Sequence, residues 1–320
     1  MSGNGAEPAA GKGTTEPVAV VDSGSNSTRL LITGPEGDIT RRSVVTGLGR
    51  GVETTHTLSS EAIDRTTAVL EEYRACMDQH DVSAVRAVST AAARDATNRD
   101  EFLRAATQVL GETMHMIDGS TEGRLAFAGA TGDLDRQGPF MVIDIGGRST
   151  ELIVGGAQVD SVVSLPMGSV RFTEQFLPSD PPDPAELSSL LQIVSMHLGD
   201  VARDHPAANA AVTHVGVAGT VTTIAAVELG LATYDPDRIH RMALTRAAVE
   251  DVFRTLATEP VADRVHNPGL PRERADVIVA GTAILVGIMR FFDVDELVVS
   301  EHDLLDGVAA AVTWPPESEP

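Results

Sequence analysis

Two short stretches of this sequence have the composition of an anion-binding turn. Asp22-Ser23-Gly24-Ser25-Asn26-Ser27-Thr28 and Asp144-Ile145-Gly146-Gly147-Arg148-Ser149-Thr150 each run from an aspartate through glycine to hydroxyl residues. Glycine lets backbone N–H groups approach an anion closely, and Ser and Thr hydroxyls add donors. An aspartate at a strand end can hold Mg²⁺ through water while a phosphate supplies other oxygens. The expected phosphate contacts are Gly24, Ser25, Asn26 and Ser27 on one side and Gly146, Gly147, Ser149 and Thr150 on the other. Asp22 and Asp144 are the metal-site pair. A single turn of this kind is usually just a polar hairpin, so the reading rests on there being two.

The two stretches are copies. Val20–Ile32 matches Val142–Val154 at a constant offset of 122 residues. A third apolar piece follows in each copy, Ser43-Val44-Val45 ahead of Gly49 and Ser161-Val162-Val163 ahead of Gly168. Each copy reads as strand, polar turn, strand and third strand. Such a repeat implies two similar α/β domains facing each other across a cleft, with the turns clamping a phosphate from both sides.

These residues resemble the two phosphate loops of the exopolyphosphatase/guanosine pentaphosphate phosphatase family, which has the actin, sugar-kinase and heat-shock-chaperone ATPase fold. Further segments agree, among them Ser89–Asn98, Gly119–Leu125, Gly216–Thr223, Tyr234–His240, Arg272–Asp276 and Ser300–Gly307. The resemblance runs from about residue 17 to 312 and suits the short, two-domain form. It implies α/β architecture with two related actin-like (ribonuclease-H-like) domains and mixed sheets. It also implies a metal-assisted hydrolysis that releases orthophosphate from the end of inorganic polyphosphate, with short chains as the expected substrates. Guanosine pentaphosphate is the alternative substrate. A kinase of the same fold and a non-catalytic polyphosphate or nucleotide sensor remain open as rivals.

By the same resemblance Glu122 matches the family's proposed catalytic base, with Glu151 of the second loop as its neighbour. A carboxylate beside it would raise its pKa and help it take a proton near neutral pH. The plain alternative is a glutamate complementing a helix start. Arg29 and Arg94 match positions near the phosphate, where each would neutralise developing charge; the alternative for either is an ordinary surface ion pair. Gly219 and Thr220 open a helix after a strand and form an anion or nucleotide site, or a plain capped turn. One departure stands out. The family's second loop usually has a third glycine where this chain has Arg148, which strains the turn, blocks a phosphate or adds a contact to one. We expect the contact, because Asn26 fills the equivalent place in the first loop.

The elements that position these groups follow from pattern. Val18–Val21, Leu30–Thr33, His214–Val217 and Leu297–Val299 read as strands. Ser59–Met77 reads as a helix with Ile63, Leu70, Tyr73 and Met77 on one face. Asn98 with Glu101 resembles a capping box, and Asp183-Pro184-Ala185-Glu186 is a stronger one. Thr245 starts another helix. The expected division is a tail at 1–16, a first domain at 17–138 carrying Glu122, a second at 139–313 and a frayed end at 314–320.

Bulk composition narrows the partners. The chain has 320 residues and a formal net charge of -22, which disfavours nucleic acid and anionic membranes alike. Its basic residues are almost all Arg, with Lys12 the single lysine, and Arg grips phosphate oxygens bidentately. Cys76 is alone, so no disulfide forms within the chain. The longest apolar stretch, Val277–Met289, is too short to span a bilayer, and no secretion signal opens the chain. A cytoplasmic enzyme is expected, with a homodimer as a further expectation. The nine histidines show no metal-ligand spacing, and His302-Asp303 reads as an isolated pair.

Overall fold

The computed structural model describes residues 16–136 and 138–316. The expected N-terminal tail lies outside the described residues, except for its last residue.

The first sheet contains β1 (Val18–Ser23), β2 (Ser27–Gly34), β3 (Gly37–Val45), β4 (Ala84–Ser89) and β5 (Met114–Met116), in the order β3-β2-β1-β4-β5. The second contains β6 (Phe140–Ile145), β7 (Thr150–Gly155), β8 (Val159–Leu165), β9 (Thr213–Val217), β10 (Ala243–Thr245) and β11 (Glu296–Val299), in the order β10-β11-β9-β6-β7-β8. Read outward from β1 and β6, the two orders coincide, apart from the extra edge strand β10. Both sheets are mixed: β1 is antiparallel to β2 and parallel to β4, as β6 is to β7 and β9. The 122-residue repeat is thus two matching α/β units. β1 and β6 are buried along their whole length, which is why they read as unbroken apolar runs up to the aspartate.

Local signals place the helices. Ser59 caps Ser60–Gln79, its hydroxyl accepting from the Ala62 N–H at 3.2 Å. Glu186 accepts from the Asp183 N–H at 2.9 Å, and Pro184 takes the first helical position. Asn98 departs from expectation. Its side chain makes no cap; it pairs instead with Leu58, accepting from the N–H at 2.8 Å and donating to the carbonyl at 3.0 Å. A distant backbone segment with unmet hydrogen bonds outcompetes the local one. Among the described residues no helix is long and apolar enough to cross a membrane; Val277–Met289 lies in the buried helix Ile278–Phe291.

Two helices trade sheets. Gly119–Thr131 lays Phe127 and Ala130 against Phe140, Val142, Ile153, Val215 and Val217 of the second sheet. The final helix, Leu304–Ala310, sets Leu304, Leu305 and Val308 against Val20, Leu31 and Val88 of the first. They cross backbone to backbone: a Cβ on Gly129 would strike the Asp303 carbonyl, and one on Gly307 would strike that of Leu125. Trp314, expected to be frayed, is packed edge-on against His115 at 5.6 Å and under the Arg86 guanidinium at 5.7 Å.

Candidate functional site

The two hairpin turns confront each other. A Cβ built on Gly147 would lie 3.0 Å from Ser25 Cβ and 3.2 Å from the Asn26 nitrogen, so the tips meet with no space for a side chain. Each turn is closed by its first glycine: the Gly24 N–H donates to Ser27 O and the Gly146 N–H to Ser149 O, both at 3.0 Å. Those two N–H groups are therefore unavailable to a ligand. The N–H groups of Ser25, Asn26, Gly147 and Arg148 take no partner among the described residues, and form a nest of donors on each side. Between the tips is a cavity of about 70 Å³ lined by residues of both turns, together with Asp22, Asp144, Glu122, Gly219 and Thr220. A water needs roughly 10–15 Å³, so the space suits one small oxyanion. Asp22 Oδ1 and both polar atoms of the Asn26 side chain are buried there without a partner. Such groups are free to bond to whatever occupies the cavity. Thr150 differs from expectation: its hydroxyl donates to the Met167 carbonyl at 2.6 Å and holds the strand instead of facing the cavity.

Four carboxylates converge beside the turns. Glu122 sits in the first turn of Gly119–Thr131, but Asp118 already caps that helix, accepting from the Thr121 N–H at 2.7 Å. Glu122 is only 8 % exposed and lines the cavity, which separates it from an ordinary dipole-complementing glutamate. Burial and then the neighbouring Glu151 push its carboxyl well above the usual range, against the opposing Arg94. Asp144 is raised by the same two causes. Glu151 is raised by burial, although Ser164 donates to it at 2.6 Å. Asp22 is raised by burial in spite of Arg29. Buried carboxylates held this close fit a hard divalent cation: among the described residues Asp22 keeps one oxygen unpaired, and Asp144 lines the same cavity.

The arginines divide by role. Arg29 donates to Asp22 Oδ2 through Nε at 3.0 Å and Nη2 at 2.6 Å, and through Nη1 to Asp303, while still lining the cavity. Arg94 does not line it. Its Nη1 donates to the Ile117 carbonyl at 2.8 Å and to Glu122 Oε2 at 3.4 Å, so it holds the glutamate. Arg148 has ordinary negative φ, and the feared strain is absent. Its guanidinium pairs with Glu53 and Asp95 across the cleft. Arg274 escaped the sequence reading. It lies directly on Gly219, donates to Ser27 Oγ at 3.1 Å and has no carboxylate partner among the described residues. Burial and Arg29 lower its pKa, the signature of an unneutralised cation. Its only sequence signal was a place in the Arg272–Asp276 segment.

Gly219 and Thr220 start the helix Ala218–Glu228, whose first turn has no side-chain cap. Thr220 donates to the Ile145 carbonyl at 2.9 Å, tying that turn to the end of β6. Ala218 adopts φ 62° there, a conformation favouring glycine and typical of functional turns. A larger cavity of about 680 Å³ adjoins, sharing Arg29, Ala218, Gly219 and Arg274 with the small one. Tyr234, Val44 and Pro271 line its far side.

His302 is not isolated as expected. It lies with His240 and Asp133 at the helix crossing, with His240 Nε2 at 2.9 Å and His302 Nδ1 at 3.4 Å from Asp133 Oδ2. Residues far apart in sequence form this group, so spacing carried no sign of it. His240 Nδ1 accepts from the Glu301 N–H at 3.2 Å, which leaves the ring proton on Nε2, facing Asp133. That tautomer makes a structural hydrogen bond and withholds the Nε2 lone pair from a metal.

The Ppx/GppA phosphatase family model matches residues 33–312. Exopolyphosphatase 2 of Mycobacterium tuberculosis is 37% identical over 313 residues, covering 92% of this chain and 98% of that protein. The crystal structure of the Aquifex aeolicus Ppx/GppA phosphatase, type II variant, superposes with a TM-score of 0.74 at 34% identity, over 93% of this chain and 100% of that one. An exopolyphosphatase from Cytophaga hutchinsonii shares the fold, with a TM-score of 0.83 at 22% identity over 91% of this chain and 96% of that one. With two matching sheets, a shared cleft and this extent of likeness, the chain belongs to the Ppx/GppA phosphatase family.

Proposed function

We propose that the chain is an exopolyphosphatase, hydrolysing the terminal phosphoanhydride of inorganic polyphosphate. The carrying observation is the small cavity between the two hairpin tips, with Glu122 buried on its wall. The terminal phosphoryl group sits there, held by the free N–H groups of both turns and by Ser27 and Ser149. Glu122 takes a proton from water as its oxygen attacks phosphorus. The bridging P–O bond breaks, orthophosphate forms and the shortened chain departs as the leaving group. Arg29 and Arg274 neutralise the oxyanion from the open side. Arg94 positions Glu122, and Glu151 keeps its proton affinity high.

Asp22 and Asp144 would hold a divalent cation, Mg²⁺ being the expected one. Such a cation supplies Lewis-acid polarisation of the phosphate oxygens. The adjoining cavity of about 680 Å³ takes the rest of the chain. Its size also favours a second reading, the 5′-phosphate of guanosine pentaphosphate, since it falls in the range of sites for small organic ligands.

Orthophosphate release from short polyphosphate, long polyphosphate, guanosine pentaphosphate and ATP, each with and without Mg²⁺, tests both. Release from polyphosphate supports the first reading. Release from guanosine pentaphosphate alone selects the second. ATP consumption only with an added acceptor indicates a kinase, and binding without turnover indicates a sensor.

A further inference from the structure

At the lip of the cleft two carboxylates of the first half meet two arginines of the second. Arg148 donates to Glu53 Oε2 through Nη2 at 2.6 Å and to Asp95 Oδ2 through Nε at 3.2 Å. Arg171 reaches the same two oxygens at 2.8 and 2.5 Å, and its Nη1 donates to the Arg148 carbonyl at 3.1 Å. Gln175 adds a bond to Glu53 at 2.7 Å. Nothing in the hydrolysis described above uses this cluster.

The two arginines are not equivalent. Arg148 is 2 % exposed and lines the phosphate cavity; Arg171 does not line it. A guanidinium is a planar fork with two bidentate edges. In Arg148 the edge formed by Nε and Nη2 faces the carboxylates. On the edge carrying Nη1, Nη1 is buried with no hydrogen-bond partner among the described residues. Asn26, the repeat equivalent of Arg148, also has its polar atoms buried and unpartnered. Matching places in the two hairpins thus hold unsatisfied donors around one small cavity. Gly49 makes the room, since a Cβ there would lie 3.0 Å from Arg148 Cδ.

We propose that Arg148 binds the phosphate from a latch: Glu53 and Asp95 grip one edge of its guanidinium and so aim the other at the bound oxyanion. Closure of the two halves and phosphate binding then reinforce each other. The idea deepens the polyphosphatase reading and rests on it for the identity of the oxyanion.

The test uses Arg148→Lys, a Glu53→Gln/Asp95→Asn double variant and the combined triple. Lysine keeps the charge but cannot serve both sides at once. Glu53 and Asp95 are partly exposed, so their neutral replacements are expected to fold. Steady-state kinetics on tripolyphosphate should show KM raised about tenfold in Arg148→Lys, with kcat within about threefold, as expected for a lost bidentate contact. The double variant should raise KM about threefold. Charge alone predicts the opposite, because removing two carboxylates near a polyanion's site should lower KM. The triple should be no worse than Arg148→Lys, since the residues act as one unit. An unchanged KM in Arg148→Lys, or a lowered KM in the double variant, overturns the latch. Calorimetric affinity for orthophosphate separates the two claims. If the wild-type chain turns over no polyphosphate, the functional reading fails on its own. The latch is then judged by whether Arg148→Lys weakens orthophosphate binding about tenfold. Equal affinity, or no binding by wild type, overturns it.

Discussion

The two hairpins have the same register and different charges. Opposite Asp22 on the neighbouring strand is Arg29; opposite Asp144, at the equivalent rung, is Glu151. The first hairpin is thereby nearly neutralised and tied through Arg29 to Asp303. The second gathers negative charge, and with Glu122 it forms a set of carboxylates raised first by burial and then, for Glu122 and Asp144, by the neighbouring Glu151. A duplicated backbone supplies matching geometry on both sides of the small cavity, and a single cross-strand exchange of Arg for Glu gives the two sides different charge. Under the function proposed above, both turns bind the phosphoryl group and both aspartates hold the cation, and the second hairpin adds the carboxylate that raises Glu122.

The comparison breaks most sharply at Glu122. Glu122→Gln should lower kcat by about 10²–10⁴, the range for a general base, with KM within about threefold; near-normal kcat would return the proton chemistry to some other group. Arg29→Gln removes the neutralised character of the first hairpin and leaves Asp22 and Asp303 buried and facing. Denaturant titration should show a loss of roughly 3–5 kcal/mol, against little change for Glu151→Gln. Gly147→Ala places a methyl against Ser25 and Asn26, so KM should rise about tenfold, with Gly146→Ala milder because its Cβ would meet only Ser149 O, at 3.3 Å. Equal effects would mean the tips do not share one ligand.

The pH dependence follows from the crowded side. The base form of Glu122 must be deprotonated, and its carboxyl is held above its ordinary range by burial and Glu151. Activity should therefore fall as pH drops through that raised value. Glu151→Gln should move the acid limb of the kcat profile to lower pH, and a limb that stays in place would uncouple the pair. The smallest effect belongs to Glu53. Burial pushes its carboxyl up, but hydrogen bonds and charge from Arg171 and Arg148 outweigh this and leave it lowered. Its stabilisation is present above the ordinary value and lost as pH falls through the lowered one. The melting temperature of Glu53→Gln should thus be less sensitive to acid than that of the wild type.

Much of this was legible because repetition and period are statistical signals carried by many residues. The offset between Val20–Ile32 and Val142–Val154 foretold paired hairpins, and apolar runs ending in aspartate foretold where the strands stop. What stayed hidden depends on single contacts between distant residues. Arg274 reaches the cavity because Gly219 lacks a side chain, and Asp303 reaches Arg29 because the last helix crosses to the first sheet. Arg148 was seen as an anomaly in its loop, yet its carboxylate partners come from separate segments around Glu53 and Asp95. Asn98 carried the right letters for a cap and answered Leu58 instead.

The exchange of helices has a bearing on synthesis. The first sheet is complete in its strands by Met116, but the helix that covers Val20, Leu31 and Val88 begins at Leu304. At roughly 5–20 residues per second, a ribosome needs about ten to forty seconds to make the intervening chain. Throughout that interval an oily face waits in the open for its lid. A chain stopped before Leu304 is therefore expected to clump, however sound its first hundred residues, and light scattering of the truncated product checks this.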